Sequence, residues 1–432
     1  LALFRHAVSL SAREKREIFM DRVTPELAGF DATRLNRIDD WMQSYVDRGR
    51  YPGGSVLIAR GGREVYFGAR GQRDVEANHP MTRDTIVRIY SMSKPITSVA
   101  IMMLVEKGLF HLDAPVSDFI PEFSACRALI PGATHIDQTE PCATPTVHHL
   151  LTHTAGLSYP FNPGILPQEM DRQGIIFRSD SGALAEQVRQ VAMLPLAFAP
   201  GTRWEYSVSI DILGRIVEVV SGMSLGDFFQ REIFAPLGMT QTGFSVPEGG
   251  KDRFAALYSS LEGNAMALNA KRAGGPIMRR VDGQDGSPWL NATMHSGGGG
   301  LVGTIDDYMM FCEMLRSGGA GKEGRLLSPK TLNFMMRNHL PGDIASMGPT
   351  SFAEQPMEGM GFGLGGSVVL NPGRVRAAGS VGDFSWGGMA STFFWIDPVH
   401  DMSVVFFTQL TPSSSYPARA QLKALVHGAL IA

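Results

Sequence analysis

The residues with the clearest chemical meaning are a serine and a lysine three positions apart, in Ser91-Met92-Ser93-Lys94. Pro95 and an apolar run follow, so the pattern predicts Ser91 at a helix N-terminus and Lys94 about one turn inside. Residues three apart share one face of a helix. A serine hydroxyl is a weak nucleophile until a neighbouring base takes its proton, and a lysine does this when its pKa is lowered. The motif therefore predicts a nucleophilic serine with an amine base.

Two observations favour this interpretation over a capping serine beside a surface lysine. The segment that follows Lys94, ITSVAIMMLVEKG, is apolar nearly all round, which indicates that the lysine lies in the interior. Lys94 is also the only one of eight lysines with a serine three residues before it.

A second candidate is Tyr206, in the segment PGTRWEYSVSIDILGRIVEVVSG. It immediately precedes a predicted helix in which Ile210, Leu213 and Val217 recur at helical spacing. A tyrosine beside a buried lysine can act as a base because the cation lowers the phenol's pKa from about 10. The alternative is that Tyr206 packs in the core.

A third candidate is the segment Ser385-Trp386-Gly387-Gly388-Met389, which comes just before a predicted strand. Paired glycines at a strand edge allow backbone to approach a ligand closely. We predict that the N–H groups of Ser91 and Met389 hold an oxyanion and that Trp386, Gly387 and Gly388 contact substrate. A plain tight turn is the alternative.

A competing nucleophile is Ser224, because Gly222-Met223-Ser224-Leu225-Gly226 matches the G-x-S-x-G elbow of α/β-hydrolases. That elbow needs a strand before it and a helix after it. The preceding segment, 209–220, has helical spacing, so Ser224 is predicted to cap a short helix instead. Downstream histidines such as His295 could complete a triad, and the alternative stays open.

Other polar clusters suggest neither a metal nor a cofactor. The stretch HHLLTHTAGL (148–157) resembles a helix end and turn, and no carboxylate or cysteine joins its histidines at ligand spacing. The glycine-rich HSGGGGLVGT (295–304) lacks the lysine of a phosphate-binding loop, and it is predicted to let backbone pass close to the site. Three cysteines without a C-x-x-C pair predict small buried or half-buried thiols. We therefore expect no metal and no cofactor.

The elements that must position these residues fall into an outer and an inner group. Residues 55–71 predict a hairpin around Gly61-Gly62, and residues 391–410 predict two strands around a turn at 398–401. We predict one antiparallel sheet built from both chain termini and flanked by helices, with a mainly helical region inserted. The predicted helices are 31–49, 96–107, 209–220, 225–234, 304–316 and 417–431.

The same pattern predicts the domain organisation. Residues 1–30 form an N-terminal extension, 31–95 and 345–432 an α/β sheet domain, and 96–344 a mainly helical domain. Long loops at 127–146, 157–182 and 246–294 are expected to shape a pocket.

Composition narrows the function classes. The 432 residues are 44% hydrophobic and 19% charged, as in a globular protein with a large core. A net charge of −3 does not favour a nucleic-acid partner, and the sequence predicts no membrane span. The apolar start of the chain is interrupted by Arg5 and His6, unlike a secretory signal, so we expect the cytoplasm.

The order of the motifs resembles the serine β-lactamase superfamily. RIYSMSKPITS, HLLTHTAGL, PGTRWEYS, SGGGGLVGT and WGG follow one another along the chain. Within that superfamily the sequence is most similar to the family VIII carboxylesterases, relatives of class C β-lactamases and DD-peptidases. The resemblance implies a β-lactamase/transpeptidase-like α/β fold. It also implies that Ser91 is the nucleophile, Lys94 its activating partner and Tyr206 the base of the Y-x-N motif.

Two departures from that pattern bear on substrate choice. Val208 stands where Y-x-N has asparagine, and Trp386 stands where the K-T-G strand has lysine. In the β-lactamases these two groups contact the substrate amide and carboxylate, whereas tryptophan offers apolar area and one donor. We therefore expect a serine esterase acting on short-chain esters. A β-lactamase or DD-peptidase, an acyltransferase, a Ser224 triad and a non-catalytic acylated sensor are the alternatives.

Overall fold

The computed structural model describes residues 20–261, 277–322 and 324–431. Most of the predicted N-terminal extension (1–19) and part of the predicted loop 246–294 lie outside these residues. No helix in the described ranges is long and apolar enough to cross a membrane.

The centre of the molecule is an eight-stranded antiparallel sheet that draws on both parts of the chain, as predicted. Its strands, in spatial order β4-β5-β6-β7-β8-β1-β2-β3, place the C-terminal strand β8 beside the N-terminal strand β1, with Val56 opposite Phe406. The strands are β1 (Gly53–Arg60), β2 (Arg63–Asp74), β3 (His79–Pro80), β4 (Met360–Phe362), β5 (Ser367–Val369), β6 (Phe384–Gly387), β7 (Phe393–Asp397) and β8 (Met402–Thr408).

Eight helices of seven or more residues cover the sheet or form the inserted region in the described part of the chain. They are α1 (Arg37–Asp47), α2 (Ser93–Glu106), α3 (Ile165–Arg172), α4 (Leu184–Ala192), α5 (Ser209–Ser221), α6 (Ile305–Arg316), α7 (Pro329–Met335) and α8 (Ala418–Gly428). Five of the predicted helices match α1, α2, α5, α6 and α8 to within a few residues. The predicted helix 225–234 begins as Leu225–Phe229 and continues as a π-helical turn, Gln230–Phe234.

The remaining elements are short and sit in the connections. The short helices are Pro25–Ala28, Ala32–Leu35, Tyr90–Met92, Val116–Asp118, Pro121–Ala125, Val147–Leu151, Ala235–Leu237, Lys251–Arg253, Pro288–Leu290, Ile344–Ser346, Pro372–Val375 and Ser413–Ser415. The short strands are Val87–Arg88, Arg127–Leu129, Thr139–Pro141, Leu257–Ser260, Met278–Asp282, Val302–Gly303, Ala320–Gly321, Gly324–Arg325, Ser351–Phe352, Gln355–Pro356 and Leu410–Thr411.

Both faces of the central strands are buried, which explains why the sequence of β1 is a nearly continuous apolar run. Val56 and Ile58 belong to a core shared with α1 and α8, whereas Leu57 belongs to the larger core of the inserted region. Helix α6 packs on β1 and β8 from that second side. The sheet is therefore a rigid wall with helices on both sides.

Helix α2 is the central element of the inserted region. Every residue from Ser93 to Leu104 is buried, and the helix packs against α5. This burial carries Lys94 into the interior, as its apolar surroundings predict. The fold thus brings the start of α2, the start of α5 and the end of strand β6 to one place.

Candidate active site

Ser91 lies on a strained turn that leads into α2. The preceding residue, Tyr90, has φ +46°, a conformation that costs a non-glycine residue about 1–3 kcal/mol. The turn is held because Ser93 Oγ donates to the carbonyl of Tyr90 at 2.7 Å and accepts from the N–H of Leu301 at 3.2 Å. Ser91 itself is half-buried and lines a cavity.

Lys94 is the most highly connected polar group of the site. Its side chain is 1% exposed, and its Nζ donates to Ser91 Oγ at 3.2 Å, to Tyr159 Oη at 2.9 Å and to the carbonyl of Gly298 at 2.7 Å. An ammonium carries three donors, and these three acceptors satisfy all of them. Because a buried amine without partners would be costly, this set of contacts explains how the lysine is tolerated in the core.

Tyr206 is brought to the same place, but it meets Lys94 through its ring. Lys94 Nζ lies 4.6 Å from the centroid of the Tyr206 ring, a cation–π distance. The ring is buried at 6% exposure and packs against His153, Phe352 and Trp386. The serine, the amine and this tyrosine therefore converge as the sequence suggests, while the phenol hydroxyl that contacts the amine belongs to another residue.

That other residue is Tyr159, which the sequence analysis does not single out. It follows the turn at the end of HLLTHTAGL, and its Oη accepts the hydrogen bond from Lys94. Burial, and then the neighbouring groups Asp211 and Tyr206, raise the pKa of Tyr159 well above its ordinary value. Tyr159 is therefore a neutral phenol when it contacts the lysine. The signal for it was an aromatic residue directly after a motif that marks the site.

A buried carboxyl group, Asp211, fixes the loop that carries the Gly298 carbonyl. Asp211 Oδ1 accepts from Ser296 Oγ at 2.5 Å and from the N–H of Gly298 at 3.0 Å. Burial raises the pKa of Asp211, and the charge of Lys94 acts in the opposite direction. A Cβ on Gly298 would lie 2.4 Å from Asp211 Oδ2, so only glycine fits there. The glycine-rich stretch thus does pass close to the site, as expected.

The predicted WGG segment forms the end of β6 and the turn after it. Gly388 lies so close to the turn before Ser91 that a Cβ there would be 2.3 Å from the Ile89 carbonyl oxygen. Trp386 is buried at 7% exposure and Met389 is 44% exposed, and both line the cavity together with Gly387. The segment therefore contacts the nucleophile turn directly.

The cavity beside Ser91 has a volume of about 870 Å³, within the range of small-ligand pockets. Two of the predicted long loops contribute to it, through 159–162 and 176–179 and through 288–289, whereas 127–146 does not. Val208, in the place of the Y-x-N asparagine, is fully buried. The nearby side-chain amide is that of Asn162, which donates to the Tyr206 carbonyl at 2.8 Å.

The aromatic lining of the cavity consists of Tyr90, Tyr159, Phe161, Phe177, Tyr206, Trp289, Phe352, Phe393, Phe394, Trp386 and Trp395.

Ser224 does not form a nucleophile elbow. The element before it is helix α5, which ends at Gly222 with φ +70°, and not a strand. Ser224 caps the next helix: its Oγ accepts from the N–H of Asp227 at 3.1 Å and donates to that residue's carboxylate at 2.7 Å. His295 Nδ1 accepts from the N–H of Gly226, so it serves the same cap region.

The histidines of 148–157 are held by contacts within the protein. His148 Nε2 lies 3.2 Å from His339 Nδ1, and burial, followed by the neighbouring His339, lowers the pKa of His148 to about 4. His153 Nδ1 lies 3.1 Å from Ser207 Oγ, and burial, followed by the charge of Lys94, lowers its pKa well below the ordinary value. His153 is therefore a neutral ring packed behind Tyr206.

Comparison with known proteins agrees with this fold. The chain matches the model of the Beta-lactamase family over residues 38–428, and it belongs to that family. Esterase EstB of Burkholderia gladioli is 32% identical over 393 residues, covering 89% of this chain and 93% of EstB. Lovastatin esterase of Penicillium rubens is 30% identical over 378 residues, covering 83% of this chain and 89% of that enzyme.

A solved structure gives the same result. EstCE1, described as a hydrolase with promiscuous acyltransferase activity, superposes with a TM-score of 0.73 at 29% identity, covering 93% of this chain and 99% of EstCE1. The predicted β-lactamase/transpeptidase-like fold and the resemblance to the esterase group are confirmed. The chain is a serine hydrolase of the Beta-lactamase family whose relatives are esterases and acyltransferases.

Proposed function

We propose that the protein is a serine carboxylesterase that cleaves carboxylic esters, short-chain esters among them, through an acyl-enzyme on Ser91. The observation that carries the proposal is the set of contacts at Lys94 Nζ. In its neutral form the amine has two hydrogens, and the acceptors at Tyr159 and Gly298 take both. The lone pair then faces the Ser91 hydroxyl, 3.2 Å away, where it can accept the proton.

The reaction proceeds in two steps. Ser91 Oγ attacks the ester carbonyl carbon while its proton moves to Lys94, and the N–H groups of Ser91 and Met389 hold the oxyanion, each worth about 3–4 kcal/mol. The carbon–oxygen bond to the alcohol breaks, and the alcohol leaves with the proton. Water activated by Tyr206 then attacks the acyl carbon while its proton passes to Lys94. The bond between the acyl carbon and Ser91 Oγ breaks, Lys94 returns the proton to Oγ, and the carboxylic acid leaves.

The surroundings of the nucleophile favour neutral substrates. Aromatic rings dominate the lining, and Trp386 and Val208 replace the polar groups that the β-lactamases direct at an anionic substrate. Trp386, Gly387 and Gly388 contact the substrate in this proposal. A β-lactamase or DD-peptidase activity on the same serine is accordingly the weaker alternative, expected only as slow side activity.

The test measures the acyl-enzyme and turnover in the same sample. Mixing the protein with p-nitrophenyl butyrate should give a burst of nitrophenol, a mass increase of one butyryl group on Ser91, and continued turnover. Ser91→Ala should show none of the three. A stoichiometric burst without turnover would identify an acylated sensor, and faster cleavage of nitrocefin than of any ester would identify a β-lactamase.

Acyl transfer to an alcohol is the second candidate function. The cavity volume of about 870 Å³ leaves room for an alcohol beside the acyl group, and EstCE1 is described as having acyltransferase activity. Adding a primary alcohol to the butyrate assay should then divert part of the acyl-enzyme to the new ester. Chromatography of the products measures the partition, and release of butyric acid alone would exclude transfer to that alcohol.

A further inference from the structure

A cluster at the far end of β7 has a composition that the hydrolase chemistry does not use. Asp397, at the end of that strand, lies between His400 in the following turn and His427 on α8. Asp397 Oδ2 is 2.8 Å from His400 Nδ1 and 3.2 Å from His427 Nε2, and all three atoms lie within 4.8 Å of one another. None of the three residues lines the cavity beside Ser91.

The second nitrogen of His427 fixes how that ring presents itself. His427 Nδ1 lies 2.9 Å from the backbone carbonyl of Lys423, which only accepts, so the proton of a neutral ring is on Nδ1. Nε2 then carries a lone pair, and it faces a carboxylate oxygen that also only accepts. Two acceptors in contact need a proton or a cation between them. A backbone carbonyl on the outer nitrogen is also the usual arrangement of a metal-binding histidine.

The groups around the cluster hold Asp397 and His427 in place, and the nearby lysine does not neutralise the Asp397 carboxylate. Asp397 Oδ1 accepts from the N–H groups of Val399 and His400. Oδ2 faces the two rings and also accepts from Ser380 Oγ at 2.9 Å, and that hydroxyl lies 3.2 Å from His400 Nδ1. Trp395 stacks on His427 at a centroid distance of 6.3 Å. The neighbouring Asp383 is paired with Lys423 at 2.7 Å. With neutral imidazoles, the charge of Asp397 is therefore not balanced by that lysine.

We propose that Asp397, His400 and His427 form a binding site for a divalent transition-metal ion of the Zn²⁺ type. Two imidazoles and one carboxylate are donors that zinc accepts, with bonds of about 2.0–2.2 Å. Ligand atoms on such a tetrahedral ion lie about 3.4 Å apart. His427 Nε2 is near that distance from Asp397 Oδ2, at 3.2 Å, whereas His400 Nδ1, at 2.8 Å, has to move outward to admit the ion. Asp397 is fully buried, whereas the His400 side chain is 34% exposed. The ion and a water ligand therefore reach the site from the His400 side.

Sequence spacing does not predict this site. His400 follows Asp397 by three residues, but His427 comes 27 residues later on a different element. The expectation of no metal rested on the 148–157 histidines, which are elsewhere in the fold. An ion at this cluster would join the end of β7, the β7–β8 turn and α8, so its role would be to stabilise the C-terminal part of the sheet.

The experiment uses the full chain without a polyhistidine tag, after treatment with a chelator. Titration with Zn²⁺ by calorimetry should give one site per chain, and Zn²⁺ should raise Tm where Mg²⁺ does not. Co²⁺ should give the visible absorption of a tetrahedral ion. His400→Gln and His427→Gln should each weaken Zn²⁺ binding by about 100-fold or more and abolish the Co²⁺ spectrum. Butyrate hydrolysis by His400→Gln should stay at the wild-type rate.

Two control variants make the outcome decisive. His135→Gln removes an exposed histidine, and His339→Gln removes the partner of His148, the other close histidine contact described above. Neither should change the affinity. Absence of one-to-one Zn²⁺ binding to the wild-type chain would overturn the proposal. His427 would then be protonated and would donate from Nδ1 to the Lys423 carbonyl and from Nε2 to Asp397 Oδ2. Loss of binding in His339→Gln but not in His427→Gln would overturn it as well.

Discussion

Two helix starts in this chain carry a serine within a catalytic-looking motif, and their surroundings differ completely. At the start of α2, Ser91 faces a cavity of about 870 Å³ and contacts a buried amine. At the start of the helix Leu225–Phe229, the Ser224 hydroxyl is hydrogen-bonded to Asp227 in an N-cap that is open to solvent. A serine motif is therefore informative only together with the base and the space around it.

The largest difference should appear when each serine is removed. Ser91→Ala removes the proposed nucleophile, so kcat for p-nitrophenyl butyrate should fall by about 10⁴-fold or more. Ser224→Ala should retain the wild-type kcat. Steady-state kinetics on both variants, with circular dichroism to verify the fold, measures the contrast. The reverse result would transfer the nucleophile to Ser224 and end the proposal for Ser91.

Replacing the amine tests what makes the first helix start reactive. Lys94→Arg keeps the positive charge, but a guanidinium does not lose its proton and cannot act as the base. We expect kcat to fall by about 10³-fold. Lys107→Arg is the matched control, because Lys107 ends the same helix at the surface, paired with Glu232 at 3.1 Å. Near-normal activity of Lys94→Arg would mean that another group deprotonates Ser91.

Removing the hydroxyl group of each tyrosine beside Lys94 distinguishes a role in proton transfer from a role in positioning the lysine. Tyr206→Phe should lower kcat by about 10²-fold or more, since it removes the proposed activator of water. Tyr159→Phe removes one hydrogen bond to Lys94, worth about 1 kcal/mol, so about a fivefold to tenfold loss is expected. Both changes keep the ring packing. Should Tyr159→Phe show the greater loss, the role of proton carrier belongs to Tyr159.

The smallest effect is expected at the second helix start. Ser224→Ala removes an N-cap and should lower the free energy of unfolding by about 1 kcal/mol in urea titrations. Ser224→Asn supplies another capping oxygen and should restore most of the loss. Activity should be unchanged in both variants. A large loss of activity with normal stability would instead favour a triad that includes His295.

The sequence predicts the fold well because its signals are local. The Gly61-Gly62 hairpin, the 398–401 turn and the helical spacings each depend on neighbouring residues, and the structure confirms them. One antiparallel sheet from both termini was the simplest assembly of these strand pairs, and the structure joins them by pairing β1 with β8. Ser91 and Lys94 could be predicted as a pair for the same reason, because they are only three positions apart in the sequence.

The parts that escaped prediction depend on contacts between distant segments. Tyr159 meets Lys94 from 65 residues away, and Asp211 meets Gly298 from 87 residues away. On the sequence, Asp211 is one more polar residue in the first turn of a helix, and nothing in its spacing indicates that it is buried. The cluster at Asp397 was hidden in the same way. Such groups come together only through tertiary packing, within the inserted region and around α2 for the first two contacts and within the sheet domain for the Asp397 cluster.

The pairing of β1 with β8 determines when the sheet can fold during synthesis on the ribosome. Gly54 lies opposite Thr408, so the middle of the sheet cannot close until the chain has been synthesised as far as Thr408. Until then the growing polypeptide presents an unpaired strand edge, which invites aggregation and makes chaperone protection valuable. Nascent fragments that already contain Ser91 and Lys94 therefore lack β6, and the candidate active site is complete only after the last strands have been translated.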